Sequence, residues 1–267
     1  MVVQANGSTP RKVGALMAIS NAGITCGSIG GGLGEARVLA ALRLEPGLGS
    51  YRIDLRGGPN TLGICGGQMQ VNFARSNSIQ LSAAMSKLKS GAAVPSKELG
   101  FSTESVVSIP APSLLVIAGG GHCGAALAEL ALVLGYQVIV HDDRSEAKNL
   151  PRGCLWLNSW PDVLACLQSH RKPSAVLLTR NDALDVEALC FLQVWGARQA
   201  GFTGPWTDAF GYIGMMGSQR RIRAVQTQLA FSLAGIKAPV GLPIDAETPA
   251  EIAVSIAAAL IASRSQT

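Results

Sequence analysis

Four short stretches carry residue types at spacings that could do chemistry. In "NTLGICGGQMQV", Cys65 stands directly before Gly66 and Gly67. A thiol beside two backbone N–H groups suits a soft metal or a sulfur atom in transit. Taken alone, the same trio reads more readily as a tight turn with an inert cysteine. In "GGGHCG", Gly119, Gly121 and Gly124 have the GxGxxG spacing that lets backbone donors approach a pyrophosphate at a helix N-terminus. Asp142 and Asp143 follow 23 and 24 residues after Gly119, where a ribose-binding acid belongs. His122, inside that loop, could touch a ligand, cap the helix or face solvent. In "CGSIGGGLGEARVL", Ser28, Gly30, Gly31 and Gly32 form a second glycine-rich loop, with neither Walker nor Rossmann spacing. Its successive N–H groups could make an anion nest, although a sharp strand-to-helix turn is the plainer use. Ser218 and Arg220, with Arg221 and Arg223 nearby, open a basic segment after "GMMG". They could hold a phosphate by helix N-terminus and guanidinium fork, or simply form a capped, solvated helix.

The elements that must position these residues divide the chain. Residues 1–80 are β-rich and glycine-punctuated, with short strand patterns in "VGALMAIS", "YRIDL" and "MQVNFA", a hairpin signal at Asn21-Ala22-Gly23 and a helical pattern after the first glycine loop. Residues 81–112 carry Ser, Lys, Gly and three prolines and are expected to be mainly a linker with at most one short helix. From residue 113 to 267, strand patterns, the first a wholly apolar run, alternate with helices: "SLLVIAG", "AALAELALVLG", "YQVIVHDD", "PDVLACLQSH", "SAVLLT" and "LDVEALCFLQVWG". That alternation predicts a Rossmann-like, doubly wound parallel sheet. The fold class expected is α/β: a β-rich α+β domain followed by a Rossmann-like domain. A closing helix should start at Thr248, with Pro249 first in the helix and Glu251 completing a capping box.

The bulk properties narrow the function classes. With 48% hydrophobic and 15% charged residues in 267, there is material for two packed domains. The net charge of +5 suits an anionic ligand, but the basic residues are dispersed and only 5% are aromatic, so nucleic acid is disfavoured. Six cysteines show no CxxC pair, the start lacks a signal-peptide pattern, and no run reaches the roughly 18 apolar residues of a membrane span. A soluble, cytoplasmic protein with reduced cysteines and no stable membrane insertion is expected.

The ordered set "GSTPRKVGALMAI", "GSIGGGLGEARVL", "LGICGGQMQV", "LLVIAGGGHCGAALAELALVLGYQVIVHDDR", "AVLLTRNDALDVEAL", "YIGMMGSQRR" and "GLPIDAETPAEIAVSIAAAL" resembles the XdhC/CoxI family, the accessory proteins of xanthine and carbon-monoxide dehydrogenases. The resemblance covers nearly the whole chain. It implies a non-catalytic maturation factor that binds the molybdenum cofactor, a molybdopterin in mono- or dinucleotide form. Such a factor supports sulfuration by a NifS-type cysteine desulfurase and passes the cofactor to an apo molybdenum hydroxylase. A homodimer is also expected. On this footing Cys65 becomes the leading candidate for the working, metal-contacting thiol, with Gly66 and Gly67 turning it toward the ligand. Two departures stand out. Met1 lies almost at the "GSTPR" segment, where family members usually carry a preceding helix, and "TRNDALD" lacks the histidines that often follow that threonine. The alternative is an NAD(P)-dependent oxidoreductase using Gly119 and Asp142, for which the sequence declares no proton-relay set.

Overall fold

The computed structural model describes residues 1–57, 66–102, 107–144, 150–199 and 204–264. They fall into two compact units, Met1–Leu88 with Ala93–Ala111, and Lys89–Ala92 with Pro112–Thr267.

The first unit is built on a three-stranded antiparallel sheet. Strand β1 (Val2–Asn6) and β4 (Ser50–Asp54) flank the central β5 (Gln68–Asn72). Alternation along "SYRID" and "QMQVN" sends Ile53, Met69 and Val71 to one face, where they close a small core with Val2, Ile29 and Val38. Val38 lies on helix α1 (Gly32–Leu44), which follows the hairpin β2 (Met17–Ile19) and β3 (Thr25–Gly27). The hairpin turns at the Asn21-Ala22-Gly23 signal, with Gly23 at φ 79°. The stretch expected as a linker carries much of helix α2 (Ser78–Lys89), a single 3-10 turn at Ser96–Leu99, and the paired strands β6 (Val94–Pro95) and β7 (Ser108–Ile109). Ala84, Val94 and Leu99 give this segment a buried cluster of its own. Its prolines and glycines punctuate short elements and do not mark a loose tether.

The second unit has the predicted alternation. Strands β8 (Leu114–Ala118), β9 (Gln137–His141), β10 (Leu155–Leu157), β11 (Ser174–Leu177) and β12 (Tyr212–Met215) form one parallel sheet in the order β10-β9-β8-β11-β12. Period-two alternation splits each apolar strand between two cores. Leu115, Ile117, Val138 and Val140 pack with Leu127 of α3 (His122–Val133) and Ile256 and Leu260 of α7 (Pro249–Ser263). On the opposite face Val116, Ile139 and Leu177 meet α4 (Trp160–Leu167), α5 (Asp182–Ala197) and α6 (Gln219–Gln228) through Trp160, Leu189, Leu192 and Val225. Each fully buried Leu or Ile contributes about 1.5–3 kcal/mol, so burial on both faces holds the sheet rigid. Helix α7 starts with the full capping box of Thr248 and Glu251. The chain leaves β8 toward β9 and β10, then returns across the sheet to β11. That reversal opens a crevice at the carboxyl ends of β8 and β11, the place where open α/β sheets bind ligands.

Candidate functional site

A cleft of about 130 Å³ occupies that crevice. Gly119 and Gly121 form its floor after β8; His141, Asp142, Asp143 and Arg144 come from the end of β9; Leu178, Thr179 and Arg180 follow β11; Trp160 opens α4; and Leu184 and Glu187 lie on α5. The glycines are required by close approach. A Cβ at Gly119, which has φ 113°, would overlap the Leu178 carbonyl oxygen, and one at Gly124 would overlap the Gly119 carbonyl oxygen. Gly124 therefore lets α3 sit against β8, whereas Gly121 has open space around it. Helix α3 has Gly121 at its N-cap and no side-chain cap, so no side chain takes up its first-turn N–H groups, and the N-cap residue Gly121 itself lines the cleft. By contrast α5, α6 and α7 are capped by Asn181, Ser218 and Thr248.

Asp142 is placed where a ribose acid should be, yet its oxygens are spoken for. Oδ2 accepts from the Gly120 N–H (2.7 Å) and Arg144 Nη2 (2.7 Å), while Oδ1 accepts from Arg144 Nε (2.6 Å) and the Arg144 N–H (3.1 Å). A carboxylate offers about four lone-pair sites, and these donations fill them. The Arg144 guanidinium, above all, holds the Asp142 carboxyl down at about 2, against the pull of burial. Asp143 is paired end-on with Arg180 (2.6 Å to each oxygen), joining the loop after β9 to the loop after β11. The Arg180 partner likewise lowers the Asp143 carboxyl. Beneath them His141, 6% exposed, stacks on Trp160 at 4.1 Å, and Trp160 stacks in turn on Phe191. Burial pushes the His141 imidazolium toward its neutral form, and its ring makes no hydrogen bond to a described residue.

The wall after β11 rests on a buried ion pair. Asp185 is fully buried; it accepts from Thr179 Oγ1 (2.7 Å) and from Arg221 Nε (2.8 Å). Arg221 Nη2 also donates to the Thr179 and Asn181 carbonyl oxygens. Burial raises the Asp185 carboxyl above the ordinary range, and the Thr179 and Arg221 bonds oppose that rise. Among the basic residues after "GMMG", Arg221 is thus a structural strut. Ser218 spends its hydroxyl accepting from the Arg221 N–H, and Arg220 is exposed on α6 outside the cleft lining. His122 is also exposed and does not line the cleft.

The first unit's glycine loop is organised differently. Glu35 Oε1, one turn into α1, accepts from Ser28 Oγ (2.7 Å), the Ile29 N–H (2.9 Å) and the Gly31 N–H (2.8 Å). The Gly30 N–H goes to Ser28 Oγ (3.1 Å), and Gly32 is exposed. The anion nest exists, and the chain's own carboxylate fills it; the Ser28 hydroxyl foremost lowers the Glu35 carboxyl. Cys65 lies outside the described residues. The Gly66 N–H donates to the Leu55 carbonyl (2.9 Å), and a Cβ at Gly67 would overlap the Ser8 carbonyl oxygen, so backbone closure explains Gly67.

Of the residues singled out in the sequence, the structure gathers Gly119, Gly121, Asp142 and Asp143 around one cleft, with Gly124 packed beneath it. Sequence reasoning missed Arg144, Arg180, Thr179, His141 and Glu187. The one signal for His141 was a polar residue closing an apolar strand beside the acid pair.

Comparison with known proteins bears on the whole chain. The XdhC Rossmann domain matches residues 115–260, and the XdhC and CoxI family matches residues 1–44. An uncharacterized protein of Escherichia coli, YqeB, is 26% identical over 97% of this chain and 42% of its own length. A probable xanthine dehydrogenase component from Bacillus subtilis is 30% identical over 58% of this chain and 44% of its own. The chain thus spans less than half the length of these curated relatives. A crystal structure of a xanthine dehydrogenase from Bacillus halodurans superposes with a TM-score of 0.76 at 22% identity, covering 100% of this chain and 91% of that one, which establishes the shared fold. With more than half its residues matched by the Rossmann domain and its N-terminal segment by the companion family, the chain belongs to the XdhC family.

Proposed function

We propose that this chain is an accessory protein, not itself an enzyme, that binds the molybdenum cofactor and serves the maturation of a molybdenum hydroxylase such as xanthine dehydrogenase. The observation that carries this reading is the phosphate-suited cleft in an XdhC Rossmann domain: an uncapped α3 N-terminus, a glycine floor and a buried His141 lacking a partner among the described residues. The Bacillus subtilis relative's name supports the class of client. The residues fit the phosphorylated organic part of such a cofactor. No group of three or more His, Cys, Asp or Glu side chains among the described residues is placed to hold a metal ion. Gly121 and the first-turn N–H groups of α3, with Arg144 and Arg180 at the rim, would receive the phosphate, and His141 would offer one hydrogen bond; the Gly119 N–H is spent on the His141 carbonyl. When bound, the cofactor supplies the molybdenum centre on which the client hydroxylase works.

The finer steps belong to the same proposal: Cys65 as a thiol that contacts molybdenum or relays sulfur from a NifS-type cysteine desulfurase, insertion into the apo-hydroxylase, a homodimeric state and a cytoplasmic location. No helix among the described residues is long and apolar enough to cross a membrane. The test is reconstitution of an apo-hydroxylase with cofactor, with and without the protein. Faster or fuller recovery with the protein, reduced by Cys65→Ala, supports the reading, and recovery independent of the protein defeats it. A second reading, an NAD(P)-dependent oxidoreductase, is favoured by the glycine fingerprint at the switch point of a β10-β9-β8-β11-β12 sheet. It requires turnover of a substrate with NAD(P)H by the purified protein.

A further inference from the structure

The cleft's charged rim is arranged for a particular chemical group. In a ribose-binding site the acid after the second strand accepts hydrogen bonds from a free vicinal diol. Here the four donations to Asp142 leave it no lone pair for a hydroxyl. Its bond to Gly120 ties the glycine floor in place, and its two side-chain bonds orient Arg144. Arg144 has five N–H donors and spends only Nε–H and one Nη2–H on Asp142. Its side chain is 55% exposed, so the remaining edge of the guanidinium faces outward at the rim. Arg180 is held in the same way by Asp143 and is also 55% exposed. The two arginines are close enough for each other's charge to be felt. The acids are neutralised by their own arginines, and open donors of the arginines and of the start of α3 remain.

The remaining polar groups in the wall complete the pattern. Glu187 is exposed, lines the cleft and pairs with no described residue; it is the acceptor free to take a hydroxyl or amino group. His141, more than nine-tenths buried in the wall and without a hydrogen-bond partner among the described residues, is the second.

We infer that the cleft selects a ligand carrying a phosphomonoester on a ring-bearing compound, received by Arg144 and Arg180, over the same compound with a free hydroxyl or diol. Asp142, with its lone pairs filled, is a positioning residue that holds the Arg144 guanidinium and touches no ligand, and Asp143 holds the Arg180 guanidinium. This inference specifies the ligand of the cleft used in the proposed function, and it stands or falls separately from cofactor delivery. A phosphomonoester could come from a 2′-phosphorylated dinucleotide or from a phosphorylated pterin, and two pairs of probes separate the sources.

The test is equilibrium binding to the full chain, followed by tryptophan or nicotinamide fluorescence. NADPH is compared with NADH, and 6-hydroxymethylpterin monophosphate with 6-hydroxymethylpterin. In at least one pair the phosphorylated member should bind about tenfold tighter or more, since charge-assisted bonds to a guanidinium are among the stronger ones. The pair that shows the preference names the source. Arg180→Ala, a change confined to an exposed ion pair, should cut that preference severalfold, and Arg144→Lys should reduce it while leaving the thermal midpoint within a few degrees. Glu187→Gln should weaken both members of the pair alike. Equal binding within both pairs, tighter binding of the unphosphorylated member, no binding of any probe, or a preference that survives both arginine changes would overturn the inference. A failed reconstitution of apo-hydroxylase alongside an intact phosphate preference would sink the delivery role and leave this inference standing.

Discussion

The two glycine loops of this chain look alike in sequence and differ in one respect that decides what each can do. Both follow a strand, both open a helix, and both line up backbone N–H groups. In the first, the helix supplies its own anion: Glu35 reaches back and takes the Ser28, Ile29 and Gly31 donors. In the second, Asp142 takes only the Gly120 N–H, and the start of α3 stays open toward a cleft. The lesson is that glycine spacing announces a concavity of donors, and an acidic residue one turn downstream announces that it is already filled. Glu35 stands four residues after Gly31; the corresponding place after Gly121 is Ala125.

The largest test of this contrast removes the strut behind the open loop. Arg221→Ala leaves Asp185 buried without its cation, which should cost about 3–5 kcal/mol in urea unfolding and close or distort the cleft. An effect below about 1 kcal/mol would mean that the wall after β11 does not depend on this pair.

Next, Gly124→Ala should destabilise the second unit by about 1–3 kcal/mol, because the added methyl meets the Gly119 carbonyl oxygen. Gly121→Ala, three residues away with open space, should be close to neutral in the same thermal melt. Equal effects at the two positions would remove the argument that Gly124 sets the approach of α3 to β8.

The filled loop is sharpened by emptying it. Glu35→Ala should cost about 1–2 kcal/mol through the three donors it abandons. The vacated nest should then take up an external anion, so sulfate should raise the melting temperature of the variant more than that of the parent chain. If sulfate stabilises both equally, Glu35 is not the occupant that closes the nest.

Acid titration gives a smaller signal. The Asp142 carboxyl sits at about 2 when folded, below its ordinary value near 3.9, so its contribution is complete above about pH 4 and is lost as pH falls through 2. Unfolding measured across that window should show on the order of 2 kcal/mol less acid-dependence in Asp142→Asn than in the parent chain. The smallest effect is expected for Arg180→Ala, which should leave the melting temperature nearly unchanged, because both partners of that pair are exposed.

Much of the second unit was legible because its signals are local. Apolar strand patterns, Pro161 and Pro249 at helix starts, and the Thr248–Glu251 box each report on a few adjacent residues, and the parallel sheet follows from their alternation. The fingerprint loop and Asp142 were legible for the same reason. What Asp142 does was not, because its partner Arg144 decides that, and an Arg two residues on is an ordinary neighbour until the carboxylate's lone pairs are counted. The pairings of Arg180, Asp185 and Arg221 escaped because the partners lie 36 to 42 residues away in sequence. The first unit was harder still: its strands are short, and its glycine loop carried an apparent binding signature that Glu35 cancels through a side-chain contact. Cys65 was the most suggestive single residue in the sequence, and its role is carried by the reconstitution test with Cys65→Ala.

The most direct test of the contrast between the loops is a titration of the ¹⁵N-labelled chain with pyrophosphate, a probe small enough for either concavity, read by amide and arginine side-chain shifts. Saturable shifts at Gly120, Gly121, His122 and the Arg144 Nε–H, with Ile29 and Gly31 unmoved, are the expected result. Saturable shifts at Ile29 and Gly31 with the second loop silent would contradict the account.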